Sequence, residues 1–257
     1  MTLIVAHVSP SGAVMAADSH VTEEDSTAGS ADKIWMCGGL LFGYSGSVSV
    51  RDRLQLAIEE GLASAPMPLP TECEMAQSQL CALTHGALKA AYDNYVGSAD
   101  PTDALGGSLV VVGRDTDKYW LLEIDRNNTP TRYTDDGFHT IGSGSGAAHV
   151  GRHLLAHYSL PGYDTKHLRL LATRTVQSCI DVLGGAYGLG GPVQLWQSTD
   201  DSYERIEDEE LAAVLEGLDQ WIQIEQESLL KVFTSESEQV SEPLPEDLSD
   251  EGSSPSG

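Results

Sequence analysis

The chain has 257 residues, 40% of them hydrophobic, and a formal net charge of -25. That length fits one large domain or two small ones, with enough apolar content for a sizeable core. The charge argues against a nucleic-acid partner and against an anionic membrane, both of which would repel it, and no apolar run approaches the length of about 18 residues that a membrane span needs.

In chain order, apolar runs at 3–8 and 13–17 flank Ser9-Pro10-Ser11-Gly12, which predicts a β-hairpin. Residues 23–31 are polar and turn-like. Runs at 33–36 and 40–44 around Cys37-Gly38-Gly39 predict a second hairpin. Val50, Leu54, Ala57, Ile58 and Leu62 recur at helical spacing. A Pro-rich stretch at 65–70 ends that helix, and Thr71 with Glu74 forms a capping-box pattern for a second helix reaching about Tyr95. Strands are predicted at 109–112, 119–124 and 138–141, and the last runs into Gly142-Ser143-Gly144-Ser145-Gly146. Helices follow, one to about Tyr158 and one marked by Leu168, Leu171, Thr175, Cys179 and Leu183. A strand at 192–197 and a helix marked by Leu211, Val214, Leu215, Leu218 and Ile222 complete the domain. Strands joined by short turns form antiparallel sheets, and helices arriving in pairs belong on outer faces. From Thr234 to Gly257 the chain is almost entirely Ser, Glu, Asp, Pro and Gly, an acidic tail expected to be disordered beyond a domain at 2–233.

Thr2 carries the main chemical signal. Met1 is removable when a small residue follows, which leaves a hydroxyl and a free α-amine on one residue. An α-amine ordinarily titrates at about 7.7–8.0, so near neutral pH it can take the proton from its own hydroxyl. Two charged residues lie at the edges of apolar runs. Asp18 ends an apolar strand, where an unpaired carboxylate would be costly. Lys33, one of five lysines, sits at the next strand pair. An Asp–Lys pair satisfies both, and the ammonium favours the ionised nucleophile.

The ordered set Thr2-Leu3-Ile4-Val5-Ala6, Gly12-Ala13-Val14-Met15-Ala16-Ala17-Asp18, Val21-Thr22, Lys33-Ile34, Phe42-Gly43-Tyr44-Ser45-Gly46 and Gly142-Ser143-Gly144-Ser145 resembles proteasome β-subunits within the N-terminal nucleophile hydrolases. It looks most similar to the simpler bacterial proteasome-like peptidases, which need only Met1 removed. The resemblance covers roughly residues 2–200. It implies an α+β fold, a four-layer αββα sandwich, and threonine-type peptide-bond hydrolysis. It also implies Thr2 as nucleophile with Asp18 and Lys33 beside it, the Gly43 N–H as oxyanion donor, and Ser143 near the threonine amine. Val21, Thr22 and Ser45 would line the substrate cleft and Leu41 the S1 pocket. One departure stands out. Where many family members carry Asp-x-x-Ser-Gly-Gly, this chain keeps Gly190-Gly191 but has Ala186 and Leu189 at the polar positions.

Two other constellations compete. The glycine-rich turn at 142–146 lacks the second parallel strand a dinucleotide site needs. His149, His153 and His157 share one helix face, but no carboxylate or cysteine joins them at metal-ligand spacing. The expected protein is therefore a cytosolic threonine peptidase that uses no cofactor. Its partners would be peptides or unfolded proteins, copies of itself in a ring, and an ATP-dependent unfoldase. A non-peptide amidase and a catalytically inactive assembly subunit are the alternatives.

Overall fold

The computed structural model describes residues 2–23, 26–64, 73–95, 107–116, 118–133, 137–142, 145–160 and 162–239. The Pro-rich break at 65–70, the capping residue Thr71, Ser143, Pro161 and the acidic segment from 240 onward lie outside them.

Residues 1–215 form one compact unit and 216–257 a second. The first opens with β1 (Leu3–Ser9) and β2 (Gly12–Ala17), the expected hairpin. A small hairpin follows, β3 (His20–Glu23) and β4 (Ser26–Ser30), with a register shift between Val21 and Thr22. Its polar residues show no strand alternation, which is why the sequence reads as a turn. Next come β5 (Ile34–Cys37), β6 (Leu40–Ser45), α1 (Val48–Ser64) and α2 (Cys73–Tyr95). Then β7 (Ser108–Asp115), β8 (Lys118–Ile124), β9 (Pro130–Tyr133) and β10 (Phe138–Gly142) lead into α3 (Ser145–Tyr158) and α4 (Thr165–Tyr187). β11 (Gln194–Ser198) and β12 (Tyr203–Ile206) precede α5 (Asp208–Gln239). α5 takes in the first residues of the segment expected to be a tail.

Two antiparallel five-stranded sheets result, ordered β10-β1-β2-β11-β12 and β5-β6-β7-β8-β9. They face each other through a core that includes Ile4, Ala6, Met15, Leu41, Val110 and Leu121. The alternate residues of the second sheet, Leu40, Phe42, Val111 and Leu122, pack with Val50, Leu54 and Ile58 of α1 and with Leu80 of α2. α3 and α4 lie on the outer face of the first sheet, against β10, β1 and β2. The described elements of this unit thus form the four-layer αββα sandwich. Strands covered on both faces carry no polar alternation, which is why β1 and β2 are buried at every position. At one margin Glu123 of β8 reaches His139 of β10 at 2.7 Å, a polar link between the two sheets.

His7 breaks the apolar run of β1 and is 2% exposed. Its Nε2 lies 3.3 Å from Ser159 Oγ, while Nδ1 is buried without a partner. Burial lowers its pKa from 6.5 to about 4. The unfolded chain therefore binds the proton first as pH falls. The stability this site contributes is fully present above about pH 6.5 and is lost as pH drops through about 4, a loss of about 3 kcal/mol at full protonation. Urea unfolding at pH 7.5 and pH 4.5 will show a smaller pH-dependent loss for His7→Gln than for the unsubstituted protein.

Candidate active site

The site is built where β2 ends. β1 and β2 pair with Ile4 opposite Ala17, so Leu3 meets Asp18 one step further. Asp18 N–H donates to the Leu3 carbonyl at 3.3 Å, and Leu3 N–H donates to Asp18 Oδ1 at 2.8 Å. Asp18 is fully buried, and Thr2, the next residue out, is 6% exposed. On its other side the chain before β1 is approached by β10. A Cβ on Gly142 would come within 2.9 Å of the Thr2 carbonyl oxygen, so the backbone contact there requires glycine.

Lys33 immediately precedes β5, and its Nζ donates to Asp18 Oδ1 at 2.8 Å. One carboxylate oxygen thus holds both the backbone beside Thr2 and the lysine. Burial lowers the Lys33 pKa, the Asp18 charge and hydrogen bond oppose that, and the Arg51 charge lowers it further. The outcome is an ammonium that gives up its proton more readily than an exposed lysine. Gln194, the first residue of β11, holds the backbone around Lys33: its Oε1 accepts the Lys33 N–H at 2.8 Å and its Nε2 donates to the Ala31 carbonyl at 2.6 Å. The sequence alone does not single out Gln194, because a lone glutamine at a strand start carries no motif.

The Gly190-Gly191 turn supplies the remaining contacts. Gly190 N–H donates to Asp18 Oδ2 at 3.4 Å, and its carbonyl accepts from the backbone of Ser19 at 3.2 Å and His20 at 3.0 Å. Gly191 has φ +75°, and a Cβ there would sit 2.3 Å from Ser19 Oγ. Leu189 is 5% exposed, so the residue before this turn is an apolar anchor. For this turn, contact with Asp18 comes from backbone.

The remaining expected residues scatter. Gly43 lies inside β6, opposite Ile34 on one side and Val110 on the other. Tyr44 N–H donates to the Lys33 carbonyl, so strand alternation turns the Gly43 N–H toward β7 and into the ladder. It is not presented to a substrate carbonyl. Leu41 is fully buried in the core between the sheets, which places it away from any pocket surface. Ser45 ends β6, 2% exposed, with its Oγ unpartnered. Val21 is half-buried on β3, and of Thr22 only the backbone is described. Among the described residues, no group of His, Cys, Asp and Glu is placed to hold a metal ion, and no helix is long and apolar enough to cross a membrane.

No family model matches the chain, and no curated protein matches it by sequence. Solved structures do. An Anbu mutant from Hyphomicrobium sp. strain MC1 superposes with a TM-score of 0.68 at 16% identity, over 90% of this chain and 97% of that one. Anbu (ancestral beta-subunit) from Yersinia bercovieri gives 0.67 at 15% identity, over 90% and 96%. The fold is thus the proteasome-like N-terminal nucleophile sandwich. The resemblance to the simpler bacterial peptidases is corrected: these neighbours are Anbu, a related but distinct family of that fold.

Two substitutions test the site's construction. Asp18→Asn removes the counter-charge from a buried lysine and will cost about 3–5 kcal/mol, much of it recovered in Asp18→Asn/Lys33→Met. Gly191→Ala forces both a left-handed backbone and a clash at Ser19, and will cost about 1–3 kcal/mol. Both are read from urea unfolding midpoints.

Proposed function

We propose that the chain is an N-terminal threonine hydrolase that cleaves peptide bonds once Met1 is removed. The observation that supports it best is the single Asp18 oxygen shared by Lys33 Nζ and the Leu3 N–H, one residue from Thr2. A charge pair this deeply buried is costly to build for stability alone. Beside an N-terminal threonine it has a chemical use.

In this reading Thr2 Oγ1 attacks the carbonyl carbon while its proton passes to the Thr2 α-amine. Lys33 lowers the proton affinity of the hydroxyl, and Asp18 holds Lys33 in place. The amine then protonates the leaving nitrogen, the C–N bond breaks, and an ester remains on Thr2. Water, deprotonated by the same amine, hydrolyses the ester and restores the hydroxyl. The oxyanion donor is assigned to backbone beyond Ser45, because Gly46 is the first residue outside the pairing of β6. Ser143 is assigned to the amine, and Val21, Thr22 and Ser45 to the substrate cleft. The chemistry needs no cofactor. A ring of identical subunits, a cytosolic setting and an ATP-dependent unfoldase complete the proposal. The buried Leu189, in a position that is polar in related sequences, favours a second reading as a subunit with weak or no activity.

A threonine-directed β-lactone decides between them. The full-length protein with Met1 removed will gain one adduct, mapped to Thr2 by mass spectrometry. Thr2→Ala will gain none, and Lys33→Ala will react about 100-fold more slowly. A protein with a free Thr2 amine that is never modified overturns the enzyme reading. Matched peptide and small-amide panels then separate a peptidase from an amidase.

A further inference from the structure

We propose that Gln194 is a positioning residue for Lys33, its carboxamide clamping the backbone on both sides of Asp32 and so seating the lysine ammonium on Asp18. The kinetic part of this proposal rests on the hydrolase reading above; the structural part does not.

Residues 31–33 carry the chain from the small hairpin into β5, and hydrogen bonds to their backbone fasten them, one of them donated by the Arg51 guanidinium to the Asp32 carbonyl. Ala31 N–H donates to the Ser19 carbonyl at 2.9 Å, and the Lys33 carbonyl accepts from Tyr44 N–H at 3.2 Å. The bonds at Ala31 O and Lys33 N both come from the Gln194 side chain. Gln194 is 5% exposed and pairs in register with Ala17, the residue before Asp18. It therefore sets lysine and aspartate from one point. A neutral amide can accept from one backbone group and donate to the other. A glutamate would leave the Ala31 carbonyl without its donor and place an anion near the ammonium.

Gln194 also lines a groove of about 420 Å³, together with Ser19, Ala31, Asp32 and Arg205. Losing the carboxamide exposes the Lys33 N–H to that groove and leaves a buried donor unsatisfied unless water enters. Water entry relieves the burial that lowers the Lys33 pKa. The charged groups that act on Lys33 are Asp18 at the end of β2 and Arg51 on α1, joined in the mature chain by the Thr2 amine.

The test uses full-length protein labelled with ¹³Cε-lysine. Five lysines make the spectrum sparse, and Lys33→Arg assigns the signal. Gln194→Met keeps the volume and removes both bonds; Gln194→Glu keeps the acceptor and adds a charge. In Gln194→Met the Lys33 midpoint will move toward the ordinary lysine value by about half a unit or more, and in Gln194→Glu further still. The pH profile of Thr2 modification by the β-lactone will move with it. The maximal modification rate will fall about tenfold while the concentration for half-maximal rate stays unchanged, as expected when only a catalytic group is displaced. If Gln194→Met does not fold, Gln194→Glu carries the same reading. Midpoints and pH profiles that coincide with the unsubstituted protein overturn the proposal, even if both variants lose stability. A shifted Lys33 midpoint in a protein whose Thr2 is never modified upholds Gln194 as the clamp and removes the hydrolase reading instead.

Discussion

Asp18 Oδ1 accepts two hydrogen bonds at 2.8 Å, one from the backbone of β1 and one from the Lys33 ammonium. The first ties the start of the chain to the end of β2. The second ties the first sheet to the segment that opens the second. A carboxylate that is fully buried must have such partners, because leaving either charge uncompensated costs several kcal/mol. The strand register, the path of residues 31–33 and the Gly190-Gly191 turn all serve this one requirement. The position of Thr2 follows from it, since Thr2 is adjacent to the residue that Asp18 holds.

The sandwich supplies the rigidity that such a pair needs. β1 and β2 are buried on both faces, between the other sheet and α3 and α4. Close approach of the sheets is set by small residues. A Cβ on Gly43 would come within 2.8 Å of Met15 Sδ and 3.1 Å of Ile4 Cγ2. The glycine read from sequence as an oxyanion donor is therefore first a packing position. Its N–H belongs to the ladder, and its missing side chain belongs to the interface between sheets.

Most elements were legible because their periods were clean. The helix at Val50, Leu54 and Ile58 buries one face at helical spacing, and the strand at Val110, Val111 and Val112 is an apolar run buried on both faces. β3 and β4 were hidden because their residues are mostly polar or small, without the apolar run that marks the other strands. β9 and β12 are four residues long, too short for alternation to register. Within the site, Thr2 was legible from its place behind Met1, and Asp18 and Lys33 as charges beside apolar runs. Gln194 and the Gly190 backbone were not, because an amide or a peptide group becomes a site component only through what lies opposite it.

The sequence by itself determined antiparallel strands and paired helices, because hydrophobic period is a local property, and its resemblance to proteasome β-subunits pointed to Thr2, Asp18 and Lys33. The tertiary structure alone decided which carboxylate oxygen is shared, that the Gln194 side chain bonds the backbone on both sides of Asp32, and that Leu41 and Gly43 serve the core. Those outcomes depend on contacts between residues 15 to 172 positions apart in the chain, and no local pattern encodes which of many distant groups will meet.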